Sequence, residues 1–193
     1  FDDLAIDDAA YPGAGEVRVA VPTGNSATNT AWSASFGNKW ECIDELPPSG
    51  GSDYIESLTT AGDRLYSATH ASCATLGVTG TIAALKTVAT LWESASTTTL
   101  GAIGIRSNSA NTVTTSADVG NTTIVTFAQV WGSDPNNSNA AWTSSAVDAA
   151  EPIVKRSSSD TSNICCGWLG LMVECDGAVA ATGYTNLPLL GVG

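Results

Sequence analysis

Polar and apolar positions in this chain alternate in short runs more often than they recur every three or four residues, and a period of two marks strands lying on a half-covered surface. The strongest run is Thr122–Trp131. Thr123, Val125, Phe127, Gln129 and Trp131 share one face of an extended chain there, and Ile124, Thr126, Ala128 and Val130 share the other. Neither face is wholly polar, so the run is expected to be a central strand covered on both sides. Gly132-Ser-Asp-Pro135 then ends it, since proline removes an amide donor and fixes a backbone angle.

Other runs follow the same rule. Glu16–Val21 puts Val17, Val19 and Val21 on one face, the expected inward one. Residues 165–175 set Gly167, Leu169, Leu171, Val173 and Cys175 against Cys166, Trp168, Met172 and Glu174. Gly80–Glu93 is ambiguous, because Ile82, Leu85, Val88 and Trp92 also recur at helical spacing. Its β-branched residues and the lack of a cap decide for a strand, expected to pair antiparallel with Thr97–Arg106 after a short turn. Gly101 and Gly104 should mark a bulge or the close approach of a neighbouring strand. A short strand is expected at Thr112–Thr115, whereas Thr59–Thr79 gives mixed signals, with Leu65, Tyr66 and Leu76 as core contacts. The one helical signal is Ser145 with Asp148 three residues on, a capping pattern that opens one or two turns over Ala146–Glu151 before Pro152.

These elements predict an all-β protein, an antiparallel, jelly-roll-like β-sandwich with at most one short helix near 145–151. With 193 residues and no charged or low-complexity linker, the chain reads as a single domain spanning 1–193. Residues 1–15 form an N-terminal arm on this reading, with Leu4 and Ile6 on one side, and 183–193 form an apolar, uncharged tail broken by Pro188. Such a tail either tucks along its own domain or inserts into a neighbour.

Charge narrows the partners. Nineteen acids against seven basic residues give a formal net charge of −12, a field that repels phosphate backbones and anionic membranes, so neither nucleic acid nor membrane is an expected partner. No stretch has the roughly 20 apolar residues of a membrane helix. Five cysteines without a Cys-x-x-Cys and a lone His70 support neither a full disulfide framework nor a zinc site, and the thiols are expected to be mostly free and buried.

Chemistry is sparse. No nucleophile elbow, phosphate loop, dinucleotide fingerprint or metal motif occurs, so the chain is expected to be no enzyme and to carry no cofactor and no metal. Asp44 with Glu45, or Asp53 with Glu56, has the residue types of a glycosidase pair, but among 19 acids such pairs arise by chance. Six tryptophans offer another chemistry, because an exposed indole beside Asn and Asp stacks on a sugar ring. Trp142, near Asn136 and Asn137, is the candidate, weighed against a role in packing the rim.

Phe1-Asp-Asp-Leu-Ala-Ile-Asp-Asp8, Asp44-Glu-Leu-Pro-Pro48 leading to Tyr54-Ile55, and the Gly80–Trp92 strand with Trp131-Gly-Ser-Asp-Pro135 and Ala140-Ala-Trp142-Thr143 together span most of the chain. On these stretches it resembles virion structural proteins of tailed bacteriophages and prophages that are built as concanavalin-like or jelly-roll sandwiches. The resemblance implies a capsid decoration or cement protein on the particle exterior, assembled in the host cytoplasm. It would bind the major capsid protein or other virion proteins as a small homo-oligomer, through the arm (Leu4, Ile6) and the tail (Tyr184, Leu187, Leu189, Leu190). The alternative is a glycan- or receptor-binding module of a phage fibre or tail, with a surface glycan as partner and Trp142, Asn136 and Asn137 as contacts.

Overall fold

The computed structural model describes residues 15–26, 31–45, 52–57, 64–94, 99–119, 123–157 and 162–176. Twelve strands follow in chain order: β1 (Gly15–Ala20), β2 (Pro22–Asn25), β3 (Trp32–Ala34), β4 (Ile55–Ser57), β5 (Arg64–His70), β6 (Ile82–Glu93), β7 (Leu100–Ser107), β8 (Ala110–Val113), β9 (Ala117–Asp118), β10 (Val125–Trp131), β11 (Glu151–Arg156) and β12 (Ile164–Asp176). Helices α1 (Cys73–Leu76) and α2 (Ser144–Asp148) are single turns, and a separate 3-10 turn lies at Trp40–Cys42 between β3 and β4.

The strands form two antiparallel six-stranded sheets, so the chain is an all-β sandwich. In the first sheet the order is β10-β6-β12-β4-β3, and β12, thirteen residues long, pairs with β1 along its C-terminal half. The second runs β2-β5-β11-β7-β8, with β9 also on β7. Apolar side chains from the facing sides make two clusters: Trp32, Ile55, Tyr66, Leu91, Ile103, Val154, Ile164 and Leu169 in one, Leu85, Ile105, Trp142, Val147, Leu171 and Val173 in the other.

Several local expectations change once the strands are assembled. Within the Thr122–Trp131 run, the strand β10 (Val125–Trp131) lies at a sheet edge and is not the expected central strand: among the described residues it pairs only with β6. Phe127, Gln129 and Trp131 turn inward, while Thr126, Ala128 and Val130 face out, Val130 at 53% exposure. The central strands are β6 and β12 instead. In β1 the apolar face is reversed. Val17 is 57% exposed and Ala20 is fully buried, because the inward side of this edge strand is the one that α1 overlies.

β6 forms as expected, but its partner does not. β7 lies in the opposite sheet, where it pairs with β11, so β6 and β7 are not a hairpin pair. The two glycines of β7 do mark close approach. A Cβ on Gly104 would collide with the Thr112 carbonyl of β8, and one on Gly101 would lie 2.5 Å from Val119 Cγ1. Alternation in β12 breaks at Gly167, where the register with β6 shifts, so Cys166 and Leu169 both enter the first core cluster.

The helix near 145–151 exists but starts earlier. Thr143, not Ser145, caps α2, accepting from the Ala146 amide at 3.2 Å, and Glu151 already belongs to β11. Asp148 is free to reach across and accept from the Cys73 amide at 2.6 Å, tying α2 to α1, the second helix that the mixed signals of 59–79 concealed. His70 sets Nδ1 2.8 Å from the Ala71 carbonyl.

Candidate functional site

Beyond β10 the chain turns through 132–143, and hydrogen bonds within the turn tie it together. The Asp134 amide donates to the Ala140 carbonyl at 2.9 Å, and the Ala140 amide donates to Asn137 at 2.9 Å. Ser138 and Asn139 take positive φ values of 52° and 57°, a region that short polar side chains tolerate. Opposite lies the β7–β8 turn, where Asn108 and Ser109 also have positive φ, 47° and 64°.

Asp134, only 3% exposed, holds the two turns together. Its Oδ1 accepts from Ser107 Oγ at 2.5 Å and from the Asn136 amide at 3.0 Å. Asn136 uses its whole side chain in the same lattice. Nδ2 donates to Ser107 Oγ at 3.0 Å and to the Ala110 carbonyl at 3.1 Å, while Oδ1 accepts from Thr112 Oγ1 at 2.8 Å. Asn108 Nδ2 closes it with a bond to the Asn136 carbonyl at 3.1 Å.

Between this lattice and α2 lies a cavity of about 250 Å³, lined by Asn108, Asp134, Asn137, Thr143, Ser145, Ala146 and Ala149. Asn137 is exposed, and among the described residues its side-chain amide makes no hydrogen bond, so two donors and an acceptor face outward from the loop. Thr143 Oγ1 and Ser145 Oγ lie 3.1 Å apart at the rim. Asp134 is the only charged residue in the lining.

The residues singled out from sequence therefore divide. Asn137 borders the cavity. Asn136 does not offer its side chain to a ligand; it positions the loop. Trp142 is corrected outright as a stacking surface: it is 4% exposed, belongs to the second core cluster, and donates Nε1 to the Trp131 carbonyl at 2.8 Å. Trp131 Nε1 in turn donates to Thr87 Oγ1 at 3.0 Å, and Thr87 Oγ1 to the Gly104 carbonyl at 3.0 Å, linking the two sheets. Leu4, Ile6, Tyr184, Leu187, Leu189 and Leu190 lie outside the described residues, as do the tail and all of the 1–15 arm except Gly15.

Asn108, Asp134, Thr143 and Ser145 were missed. The Asp-Pro-Asn-Asn signal marks a turn, but nothing local says that the Asn108 turn faces it from the other sheet. Neither of the paired-acid candidates borders the cavity. Burial raises the carboxyls of both Asp44 and Glu45 above their usual range, and Glu56 Oε1 accepts from Asn163 at 2.9 Å. Among the described residues no group of three or more His, Cys, Asp and Glu is placed to hold a metal ion, and no helix is long and apolar enough to cross a membrane.

No protein-family model matches the chain, and no curated protein matches it. Solved structures do. The CBM22-1 xylan-binding domain of Paenibacillus barcinonensis Xyn10C is 10% identical, with 83% of this chain and 96% of that one covered, at a TM-score of 0.43. A family 16 carbohydrate binding module is 12% identical over 64% and 78%, at 0.39. The enzymatically active domain of bacteriophage CBA120 tailspike protein 4 is 16% identical; 84% of this chain is covered but only 20% of that one, at 0.44.

Proposed function

We propose that the chain is a glycan-binding module of a phage fibre or tail, and that the cavity beside 132–143 takes one neutral sugar residue. The observation that carries this is the unpartnered Asn137 amide facing a small polar cavity whose walls are fixed by the Asp134–Asn136–Ser107 lattice. Amides and hydroxyls on rigid turns match a ligand made of hydroxyls, since each can donate or accept. At about 250 Å³ the cavity is smaller than the roughly 300 Å³ of drug-sized sites and suits a single ring. The lining has one carboxylate and no cation, in a chain of net charge −12, which disfavours uronic acids, sialic acids and phosphosugars.

Binding without bond cleavage is part of the proposal, because glycoside hydrolysis ordinarily needs two carboxylates across the bond and the cavity has one. A glycan array followed by calorimetry tests it. Neutral glycans should bind, Asn137→Ala should weaken binding at least tenfold with the melting temperature unchanged, and the bound sugar should be recovered intact. An array without neutral hits, or affinity indifferent to both Asn137→Ala and Ser145→Ala, sinks the reading.

A further inference from the structure

Sheet edges expose unpaired amides and carbonyls that pair readily with another chain, and proteins usually blunt them. Most edges here are blunted. β3 has three residues, β8 four and β9 two; β2 opens on Pro22 and has an irregular register; β1 carries the ion pair of Glu16 and Arg18. β10 differs. Its seven residues, Val-Thr-Phe-Ala-Gln-Val-Trp, include no charge, proline or glycine, and Ile124 and Val130, 44% and 53% exposed, are two of the four large hydrophobics exposed among the described residues.

We infer that β10 is the surface on which two copies of this chain meet, pairing antiparallel about a twofold axis through Phe127. The occupant is a second copy because the edge is self-complementary. An axis at Phe127 sets Ile124 opposite Val130 of the other copy and Thr126 opposite Ala128, all four on the outer face, so each exposed hydrophobic covers its counterpart. Charge points to the same place. Two chains of net charge −12 repel, and the stretch 124–130 holds none of the 19 acids, so pairing along it brings no carboxylates of the two strands together. The register also respects bonds already made: Trp142 holds the Trp131 carbonyl at 2.8 Å, and Trp131 lies outside the paired stretch 124–130. The exposed bond from Gln129 Nε2 to the Val130 carbonyl, 2.7 Å, is a side-chain cap that pairing would replace.

Cross-linking tests this directly, because directly opposed residues of an antiparallel pair have Cβ atoms about 4.5–5.5 Å apart, near disulfide range. The five native cysteines are buried and do not compete. Under mild oxidation, an equimolar mixture of Thr126→Cys and Ala128→Cys should give a disulfide-linked dimer that neither variant gives alone. The wild-type chain should sediment at twice the monomer mass, and Val130→Lys should halve that mass with an unchanged circular dichroism spectrum. A wild type that stays monomeric at its highest soluble concentration overturns the proposal, as does a dimer that the mixed cysteines fail to link and Val130→Lys leaves intact.

Discussion

Replacing Trp142 by phenylalanine keeps much of the apolar volume in the second core cluster but deletes the donor to the Trp131 carbonyl. An unpaired buried acceptor costs about 1–3 kcal/mol, so Trp142→Phe should lower the unfolding free energy obtained from urea titration by that amount. Trp142→Ala also leaves a cavity and should cost about 3–5 kcal/mol. A shift within error would show that the indole is not the structural tie its geometry describes. The thiols make a second prediction at this scale. All five cysteines are free and buried. Burial pushes Cys73 and Cys165 from 9.0 up to about 12, and Cys166 and Tyr66 also rise, each mainly through desolvation. A raised acid favours the neutral folded form, so its stabilisation is whole below the unfolded value and shrinks as pH climbs. Between 9 and 12 the unfolded chain gives up thiol protons that the folded one keeps, and stability should fall across that window. Unfolding at stepped alkaline pH reads this, with native thiols slow to react with Ellman's reagent until the chain opens.

At the scale of elements, β7 is most sensitive at Gly104, where β8 leaves no room for a Cβ. Gly104→Ala should cost about 1–3 kcal/mol as an overpacked site, measured by thermal or denaturant unfolding, and a neutral result would mean that β8 gives way to the added methyl. The two asparagines of the 132–143 loop should separate. Asn136→Ala breaks three side-chain bonds and should reduce both stability and sugar binding, whereas Asn137→Ala should reduce binding alone. Strand existence was legible for β1, β6, β7, β10 and β12, because alternation and turn residues are local. Their neighbours were not. The apolar content on both sides of Thr122–Trp131 suits a central strand as well as an edge strand with bare hydrophobics, and only the order of strands in the sheet distinguishes them. The site was legible at Asn137 and in the turn signal at Asp134-Pro135; Asn108, Thr143 and Ser145 reach it from segments distant in sequence or through the cap of α2.

For the whole molecule, net charge sets the response to salt. With −12 spread over 193 residues, self-repulsion opposes compaction, and screening shortens to about 10 Å at 0.1 M ionic strength. The melting temperature should therefore rise with added sodium chloride, and any dimer should strengthen with it; a melting temperature that falls would mean that attractive surface pairs outweigh the repulsion. The chain also switches sheets at most connections and closes by pairing β1 with β12, Gly15 opposite Asp176. By itself the sequence determined the class of fold, the position of most strands and turns, the burial of its thiols and the sign of its field, since each follows from local alternation, turn chemistry or a sum over residues. Tertiary structure alone decided which sheet each strand joins, which face of β1 and β10 is covered, and that Trp142 is core while Asn137 lines a cavity. The physical reason is that a strand's two faces and two edges are equivalent until another part of the chain covers one of them, and those partners come from opposite ends of the sequence.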